Sequence, residues 1–287
     1  MEYFLKFPES LILGSGEAID IAVKAFSRNH RETLRIIRTV ILNSVNSVYF
    51  SLEKIPWFIL ILIVIYLGWK ASKKKYVGLI FGAMLFFIGM CGLWDSMLQT
   101  ISMVVVAVTL SILLGFPLGI LVAMNKKAST VIRPILDLMQ TMPAFVYLVP
   151  AVILFSPGKT PALIATTIYS IVPMIRMTNL GITHVDKEML EAASSFGSTT
   201  LQLLSKVQIP QAIPSIMAGI NQTIMMAMSM VVTCALIGAE GLGMQILLAT
   251  NRIEMGKALM PGISIVFLAI ILDRLTQGMI QKGAPTE

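Results

Sequence analysis

Long apolar segments separated by short polar connections dominate the pattern along this chain. An α-helix needs about 20 predominantly apolar residues to cross roughly 30 Å of hydrocarbon, and six segments approach that length. A seventh, Ile55–Trp69, is shorter but carries aromatic residues typical of a membrane interface. The pattern predicts an all-α polytopic membrane protein with about seven transmembrane helices. The six longer segments are Tyr76–Leu93, Met97–Met124, Val131–Phe155, Pro161–Leu180, Ile213–Ile237 and one centred on Leu259–Leu275.

A more polar segment precedes the first of these helices. Between His30 and Leu52 apolar residues recur every three or four positions, with arginines near one end. This pattern is typical of an amphipathic helix lying in the headgroup layer, although a helix that packs against a partner protein is an equal alternative. The predicted domains are a tail with this helix at 1–54, two accessory transmembrane helices at 55–93, and a core at 94–280 with a cytoplasmic loop at 183–212.

Composition and charge agree with a membrane protein. Only 13% of the residues are charged, whereas soluble domains average about 25%, so the charged side chains are too few to cover a soluble exterior. The net charge of +7 does not indicate nucleic acid, because the basic residues cluster between apolar segments, as at 70–75 and 126–133. Such clusters are typical of cytoplasmic loops. They predict an outside N-terminus and a cytoplasmic C-terminus, although the basic residues from Lys24 to Arg38 oppose this orientation.

Helix-breaking residues are frequent inside the predicted spans. Proline bends or interrupts a helix, and such breaks are tolerated in a membrane only where protein or a water-filled cavity receives the freed backbone groups. The pattern therefore favours a transport path, although proline and glycine are also simply commoner in membrane helices. The residues concerned are Pro117 with its neighbours Gly115 and Gly119, Pro143, Pro150, Pro173 and Pro261.

No pattern indicates catalysis or metal binding. The chain has neither a GxSxG nor an HExxH motif, and its two histidines and two cysteines are not at metal-ligand spacing. The segment Gly158–Thr160 lacks the first glycine of a phosphate-binding loop. We therefore expect no catalytic residue, no metal site and no ATP hydrolysis by this chain itself.

Two charged residues interrupt otherwise uncharged spans. Asp137 and Arg176 each lie a turn or two from the predicted cytoplasmic end of a helix. One interpretation is that they order the inner mouth of a path as a pair. The alternative is that both simply extend toward the membrane interface.

The loop between the fifth and sixth of the seven predicted spans, Pro161–Leu180 and Ile213–Ile237, predicts two short helices around a glycine. Asp186 can cap the first helix and Gly197 can end it, while Ser198 or Thr199 can cap the second. Pro210 is predicted to stop the second helix before the next span. A rigid helical projection of this kind suits docking to another protein, although an ordinary amphipathic loop fits the same residues.

The same loop resembles the EAA motif of the permease subunits of ABC importers. That motif reads Glu-Ala-Ala, three residues, Gly, nine residues, Ile, one residue, Leu-Pro. In the family the motif forms a coupling helix that inserts into the ATP-binding subunit, so the resemblance implies the same role here. Two positions depart from the motif but stay apolar: Val207 replaces its Ile and Ile209 replaces its Leu. The matching residues are Glu191, Ala192, Ala193, Gly197, Val207, Ile209 and Pro210.

Three further segments narrow the resemblance to the permease subunits of glycine betaine/proline importers. They are Asp137–Ala151, Arg176–Ile182 and Gly238–Gly243, within a stretch from Trp94 to Asp273. The resemblance implies the type I ABC importer fold, a homodimer of this chain, two ATP-binding subunits that hold ATP and Mg, and an external substrate-binding protein. It also implies a bacterial inner membrane location and no cofactor in this chain.

The solute and the transport mode are predicted only in outline. Betaine, choline, proline, histidine and similar zwitterions all fit the resemblance, and the aromatic cage that recognises a quaternary ammonium group is expected in the binding protein. An ATP-independent channel or secondary carrier is the alternative function.

The predicted path combines the proline-interrupted stretch Gln140–Phe145 with the sixth of the seven predicted spans, Ile213–Ile237. Methionine side chains are adaptable and can line a gate, but at least half of Met225, Met226, Met228 and Met230 are expected to pack in the core. The predicted path residues are Gln140, Thr141, Met142, Pro143, Phe145, Met226, Ser229 and Thr233.

Overall fold

The computed structural model describes residues 15–283, and within that range every regular element is helical. The all-α class predicted from the sequence is confirmed, while positions 1–14 of the predicted tail lie outside the described residues. A π-helical segment, Leu204–Gln208, joins α10 to α11, and a short 3₁₀ segment follows α11. The helices are α1 Ser15–Asn29, α2 Arg31–Glu53, α3 Trp57–Ser72, α4 Lys75–Met90, α5 Trp94–Met124, α6 Lys126–Thr141, α7 Ala144–Phe155, α8 Lys159–Thr183, α9 Lys187–Ser195, α10 Thr200–Leu203, α11 Ile209–Thr233, α12 Leu242–Asn251 and α13 Met255–Gly283.

The predicted apolar segments all fall on helices. Among the described residues, four helices are long and apolar enough to cross a membrane: α5, α8, the helix through α10 and α11 to Ile237, and α13. Two bent pairs, α2 with α3 and α6 with α7, reach that length only together, which gives up to six spans. The helix α4 is apolar but has 16 residues, about 24 Å of rise.

The segment Val131–Phe155 does not form the single straight span that its hydropathy predicts. It divides into α6 and α7, whose axes differ by 100°. Pro143 has no N–H to donate, and it restricts Met142 to an extended backbone with ψ of 132°. The Tyr147 hydroxyl donates to the carbonyl oxygen of Met139 across the bend, so it satisfies a group at the end of α6.

The other prolines do not interrupt their helices. The helices α5, α7, α8 and α13 continue through Pro117, Pro150, Pro173 and Pro261, so the predicted interruption is wrong at these positions, and a bend there stays a prediction. Within α5 the glycines instead allow close contact with α8. A Cβ on Gly115 would lie 3.0 Å from the Cβ of Met174, and one on Gly119 would lie 2.6 Å from the Cβ of Thr178. Small residues at such contacts are how membrane helices bring their backbones together.

The helices α5, α8 and α11 form the centre of the molecule. One polar contact in this interface is a pair: the hydroxyls of Ser111 and Ser170 lie 2.9 Å apart. Gly181 of α8 packs against Ala212 at the start of α11, so α8 and α11 run antiparallel. We call the end that carries the loop at 183–212 the inner end and the opposite end, with Phe155–Lys159, the outer end.

The helices α3, α4 and α13 pack side by side and form a group that we call the peripheral unit. Gly78 of α4 lies so close to α3 that its Cβ would be 2.3 Å from the carbonyl oxygen of Ile65. Near the end of α13, Gly278 contacts Ala71 of α3 in the same way. The lysine cluster at 70–75 therefore lies at the inner end, together with the loop at 183–212.

The predicted amphipathic helix is present as α2, which lies at the outer end. Its axis turns by 95° at the junction with α3. Val45 is buried, and the Tyr49 hydroxyl donates to a carboxylate oxygen of Asp95, next to the start of α5. Arg38 lies beside Phe155–Lys159. The helix is confirmed, and its placement in the headgroup layer stays a prediction.

Candidate functional site

The loop at the inner end begins with a short, well-capped helix. The Asp186 carboxylate accepts a hydrogen bond from the backbone N–H of Glu188 at 3.0 Å, as expected for an N-cap. At the other end Gly197 has φ of 79°, and the Ser198 N–H donates to the carbonyl of Ala193 at 3.2 Å. These features form the Schellman ending that favours glycine. The two predicted capping residues of α9 are therefore where the sequence places them.

The second short helix starts as predicted but does not stop at Pro210. Thr199 and Gln202 form a capping box, which selects Thr199 over Ser198 as the cap. The chain then passes through the π-helical segment into α11, so Pro210 lies in the first turn of α11. The expected stop is wrong because the helix widens into a π turn just before the proline, where the Ile209 N–H donates to the carbonyl of Leu204, and the helix continues past Pro210. Residues 200–237 consequently form one continuous helical rod.

The loop presents apolar side chains to its surroundings. Phe196 is 91% exposed and Leu201 is 72% exposed, and they flank the Gly197 turn. On the opposite side Leu204 is buried against Ile182 and Ala212, so the loop is anchored to α8 and α11. A firmly anchored projection with exposed apolar residues at its tip is suited to binding another protein.

The residues that match the EAA motif lie on both sides of this turn. Glu191, Ala192 and Pro210 are exposed, while Ala193, Val207 and Ile209 are half-buried. The exposed residues belong to the projecting surface, and the half-buried ones hold the loop on the body of the molecule.

The predicted path residues fall on two neighbouring helix faces. At the bend before α7, Met142 is half-buried and the other residues of this group are exposed: Gln140, Thr141, Pro143 and Phe145. On α11, Ser229 is exposed while Met226 and Thr233 are half-buried. Met228 and Met230 are buried in the core, so two of the four clustered methionines pack as expected. The helices α7 and α11 lie next to each other.

Asp137 and Arg176 form an ion pair between α6 and α8. Their side chains are 68% and 38% exposed, so water screens the attraction and its net contribution is about 0 to 1 kcal/mol. The pair borders a cavity of about 470 Å³ at the inner end, which Asn179 and His184 also line. The structure thus brings the two charges together, and their role at an inner mouth stays a prediction.

Two polar contacts were not expected from the sequence, one an ion pair and the other a hydrogen bond between an amide and a carboxylate. At the outer end Lys159 and Glu240 lie 2.7 Å apart and join the start of α8 to the segment after α11. Inside the molecule, the Asp273 carboxylate accepts a hydrogen bond from the side-chain amide of Asn221 at 2.8 Å. The sequence held a sign of this second contact, since Asp273 lies within the apolar segment 259–275. Carboxylates within membrane helices are rare and need a partner.

Comparison with known proteins identifies relatives for most of the chain. The family described as binding-protein-dependent transport system inner membrane component matches residues 115–282. A glycine betaine/carnitine transport permease protein of Listeria monocytogenes is 46% identical over 79% of this chain and 82% of its own length. A glycine betaine/proline betaine transport system permease protein of Escherichia coli is 42% identical over 92% of this chain and 73% of its own length. The similarity therefore extends beyond the stretch from Trp94 to Asp273.

Solved structures support the fold. An inward-facing methionine ABC transporter chain aligns with a TM-score of 0.59 and 20% identity, covering 64% of this chain and 93% of that chain. This likeness confirms the predicted type I importer permease fold.

Proposed function

The chain belongs to the family of binding-protein-dependent transport system inner membrane components, and we propose that it forms the translocation path of an ATP-driven importer for small quaternary amines. Its relatives are transport permease subunits. The observation that carries the proposal is the loop at the inner end: it keeps the EAA spacing, exposes Phe196 and Leu201, and continues without a break into α11.

The proposed role of the loop is to couple the path to an ATPase. A partner groove that receives Phe196 and Leu201 would bury apolar surface that is now exposed, which favours association by about 25 cal/mol per Å² before entropic costs. Glu191, next to this surface, supplies a charge for orientation. Because residues 200–237 form one rod, a displacement of the loop would move α11 at the same time.

The proposed assembly contains two copies of this chain, two ATP-binding subunits that hold ATP and Mg, and an external substrate-binding protein. Side chains such as Phe145 on α7 and Ser229 on α11 are exposed, so the described residues of one chain do not bury these faces. Their exposure supports a path between the two copies. The external protein would dock at the outer end, near Lys159 and Glu240.

We propose that the membrane orientation follows the lysine clusters. The clusters at 70–75 and 126–127 share the inner end with the coupling loop, which supports a cytoplasmic inner end under the positive-inside rule. The N-terminus is then outside, the C-terminus is cytoplasmic, and the membrane is the inner membrane of a bacterium.

The proposed substrate class comes from the names of the relatives. These are transport permease proteins for glycine betaine, carnitine, proline betaine, choline and trimethylamine N-oxide. Each of these solutes is a small polar molecule whose nitrogen is fully substituted and carries methyl groups. We therefore favour methylated amines over proline or histidine themselves, and place their aromatic cage in the binding protein.

The test is reconstitution of the complete importer in liposomes. The complex should accumulate radiolabelled glycine betaine only when ATP, Mg and the binding protein are all supplied on their proper sides. Excess choline or carnitine should compete, whereas excess histidine should not. Uptake that persists without ATP under a sodium or proton gradient would replace this proposal with a secondary carrier.

A further inference from the structure

A carboxylate lies inside the helical bundle at the contact between α11 and α13. Asp273 accepts hydrogen bonds from the side-chain amide of Asn221 at 2.8 Å and from that of Gln277 at 2.8 and 2.9 Å. The guanidinium of Arg274 is 4.0 Å away. The Asp273 side chain is only 22% exposed, so protein groups supply most of its polar contacts.

This carboxylate lies toward the inner end of α13. Gly278, which packs against Ala71 beside the lysine cluster at 70–75, follows Asp273 by five residues, about 8 Å of helix. A carboxylate that is largely withdrawn from water needs a polar partner even near a helix end. Asn221 supplies that partner from a different helix.

The contact joins α11 to α13, which packs against α11 as well as against α3 and α4. On one side, Gly181 and Gly219 let α8 and α11 approach closely, with Gly219 against Met177. On the other side, α13 belongs to the peripheral unit, through Gly278 against Ala71 and the edge-on rings of Phe267 and Phe87. The hydrogen bond between Asn221 and Asp273 therefore links the continuous helix 200–237 to the peripheral unit.

Asn221 also carries a sign of a second arrangement. Its side-chain oxygen Oδ1 is buried and has no hydrogen-bond partner among the described residues. A buried acceptor without a partner costs free energy. A small rotation or shift of α11 that gives this oxygen a donor would recover that free energy, so the present contact is suited to be broken and remade rather than permanent.

We propose that Asp273 is a positioning residue of the transport cycle, whose hydrogen bond to Asn221 holds α11 against the peripheral unit in one conformation and releases it in another. This inference rests on the proposed function, since it takes α11 as the helix that transmits movement of the inner loop. A directional hydrogen bond suits this role because it fixes one position of the rod, whereas an apolar contact would tolerate many.

The test exchanges the two partners. In the reconstituted importer, Asp273→Asn and Asn221→Asp are each expected to lower solute transported per ATP hydrolysed by about tenfold, since each removes one charged hydrogen bond. The exchange N221D/D273N restores a carboxylate facing an amide and should return the ratio to within about threefold of the original. Thr276→Val is the matched control, because that hydroxyl bonds only to the Leu272 carbonyl of its own helix, and its ratio should not change.

The outcomes separate the inference from the function on which it rests. An exchange variant no better than the worse single variant would overturn the role of the pair. Loss of complex yield in parallel with uptake, at a constant ratio of solute to ATP, would make Asp273 a purely structural residue and equally overturn it. If the unmodified importer shows no ATP-dependent uptake, the proposed function itself fails.

Discussion

The hydroxyl of Thr100 accepts a hydrogen bond from the backbone N–H of Leu242, with 2.9 Å between oxygen and nitrogen. Both residues are fully buried, and the donor lies in the first turn of α12, where N–H groups have no partner within the helix. Gly241, with φ of 125°, leaves room for this contact, because its Cβ would lie 2.6 Å from the same oxygen. The contact therefore holds the start of α12 against the N-terminal part of α5.

Removing the Thr100 hydroxyl should destabilise the protein. In Thr100→Val the shape is kept but the Leu242 N–H is left buried without an acceptor, so we expect a loss of about 1–3 kcal/mol. Thr100→Ser retains the acceptor and should lose less than half of that. Thermal unfolding in detergent measures the difference, and equal melting temperatures for the two variants would contradict the assigned role.

Substituting Gly197 should weaken binding of the proposed ATPase subunit. Its φ of 79° disfavours any side chain, whereas a Cβ at this position would meet no atom within 4 Å, so Gly197→Ala changes backbone preference alone. A cost of about 1–2 kcal/mol predicts roughly a fivefold to thirtyfold loss of affinity, measured by titration of the purified partner.

Gly92→Ala is the matched control for that substitution. Gly92 has φ of 70° and equally open space around it, but it precedes α5 at the outer end. It should carry the same backbone cost without affecting the ATPase subunit. Equal losses of affinity in both variants would show that Gly197 acts through general stability and not through the docking loop.

Reversing the charges of Asp137 and Arg176 tests their pairing. Each single reversal places like charges together at the inner end and should reduce uptake several-fold, with a stability change of at most about 1 kcal/mol because both side chains are partly exposed. The double variant D137R/R176D should recover most of the uptake. Absence of recovery in proteoliposome assays would mean that each residue acts alone.

Bulky side chains on α11 test the predicted path. Met226→Trp and Ser229→Trp enlarge one face of the helix and should lower uptake by about tenfold or more if that face borders the path. Leu113→Trp, on a 63% exposed position of α5, is the control and should transport normally. Unchanged uptake in both α11 variants would remove this face from the path.

Close packing of α8 on α11 predicts a large effect at Gly181. A Cβ there would lie 2.9 Å from that of Ser215 and 3.0 Å from that of Ala212, so Gly181→Val should destabilise the fold by about 1–3 kcal/mol. Gly262→Ala, where a Cβ meets nothing within 4 Å, should be neutral or slightly stabilising. Similar melting temperatures for the two variants would contradict this assignment.

The sequence by itself determined the features that depend on local chemistry. The apolar segments predicted the helices, because backbone N–H and C=O groups inside a bilayer must form hydrogen bonds with each other within the segment. Asp186, Gly197 and Thr199 gave the ends of α9 and the start of α10, because capping is decided within a few residues. The spacing from Glu191 to Pro210 carried the family resemblance, because this motif lies within one short continuous stretch of the chain.

Only the tertiary structure decided how the helices continue and which polar groups meet. Pro143 separates two helices whereas Pro117 does not, since the cost of a proline depends on what surrounds the released carbonyl. Gly115 and Gly119 looked like helix breakers but allow close contact with α8, and the helix continues through Pro210, which was expected to end it. Asp273 found its partner Asn221 on a helix 52 positions away, a distance in sequence that no local pattern spans.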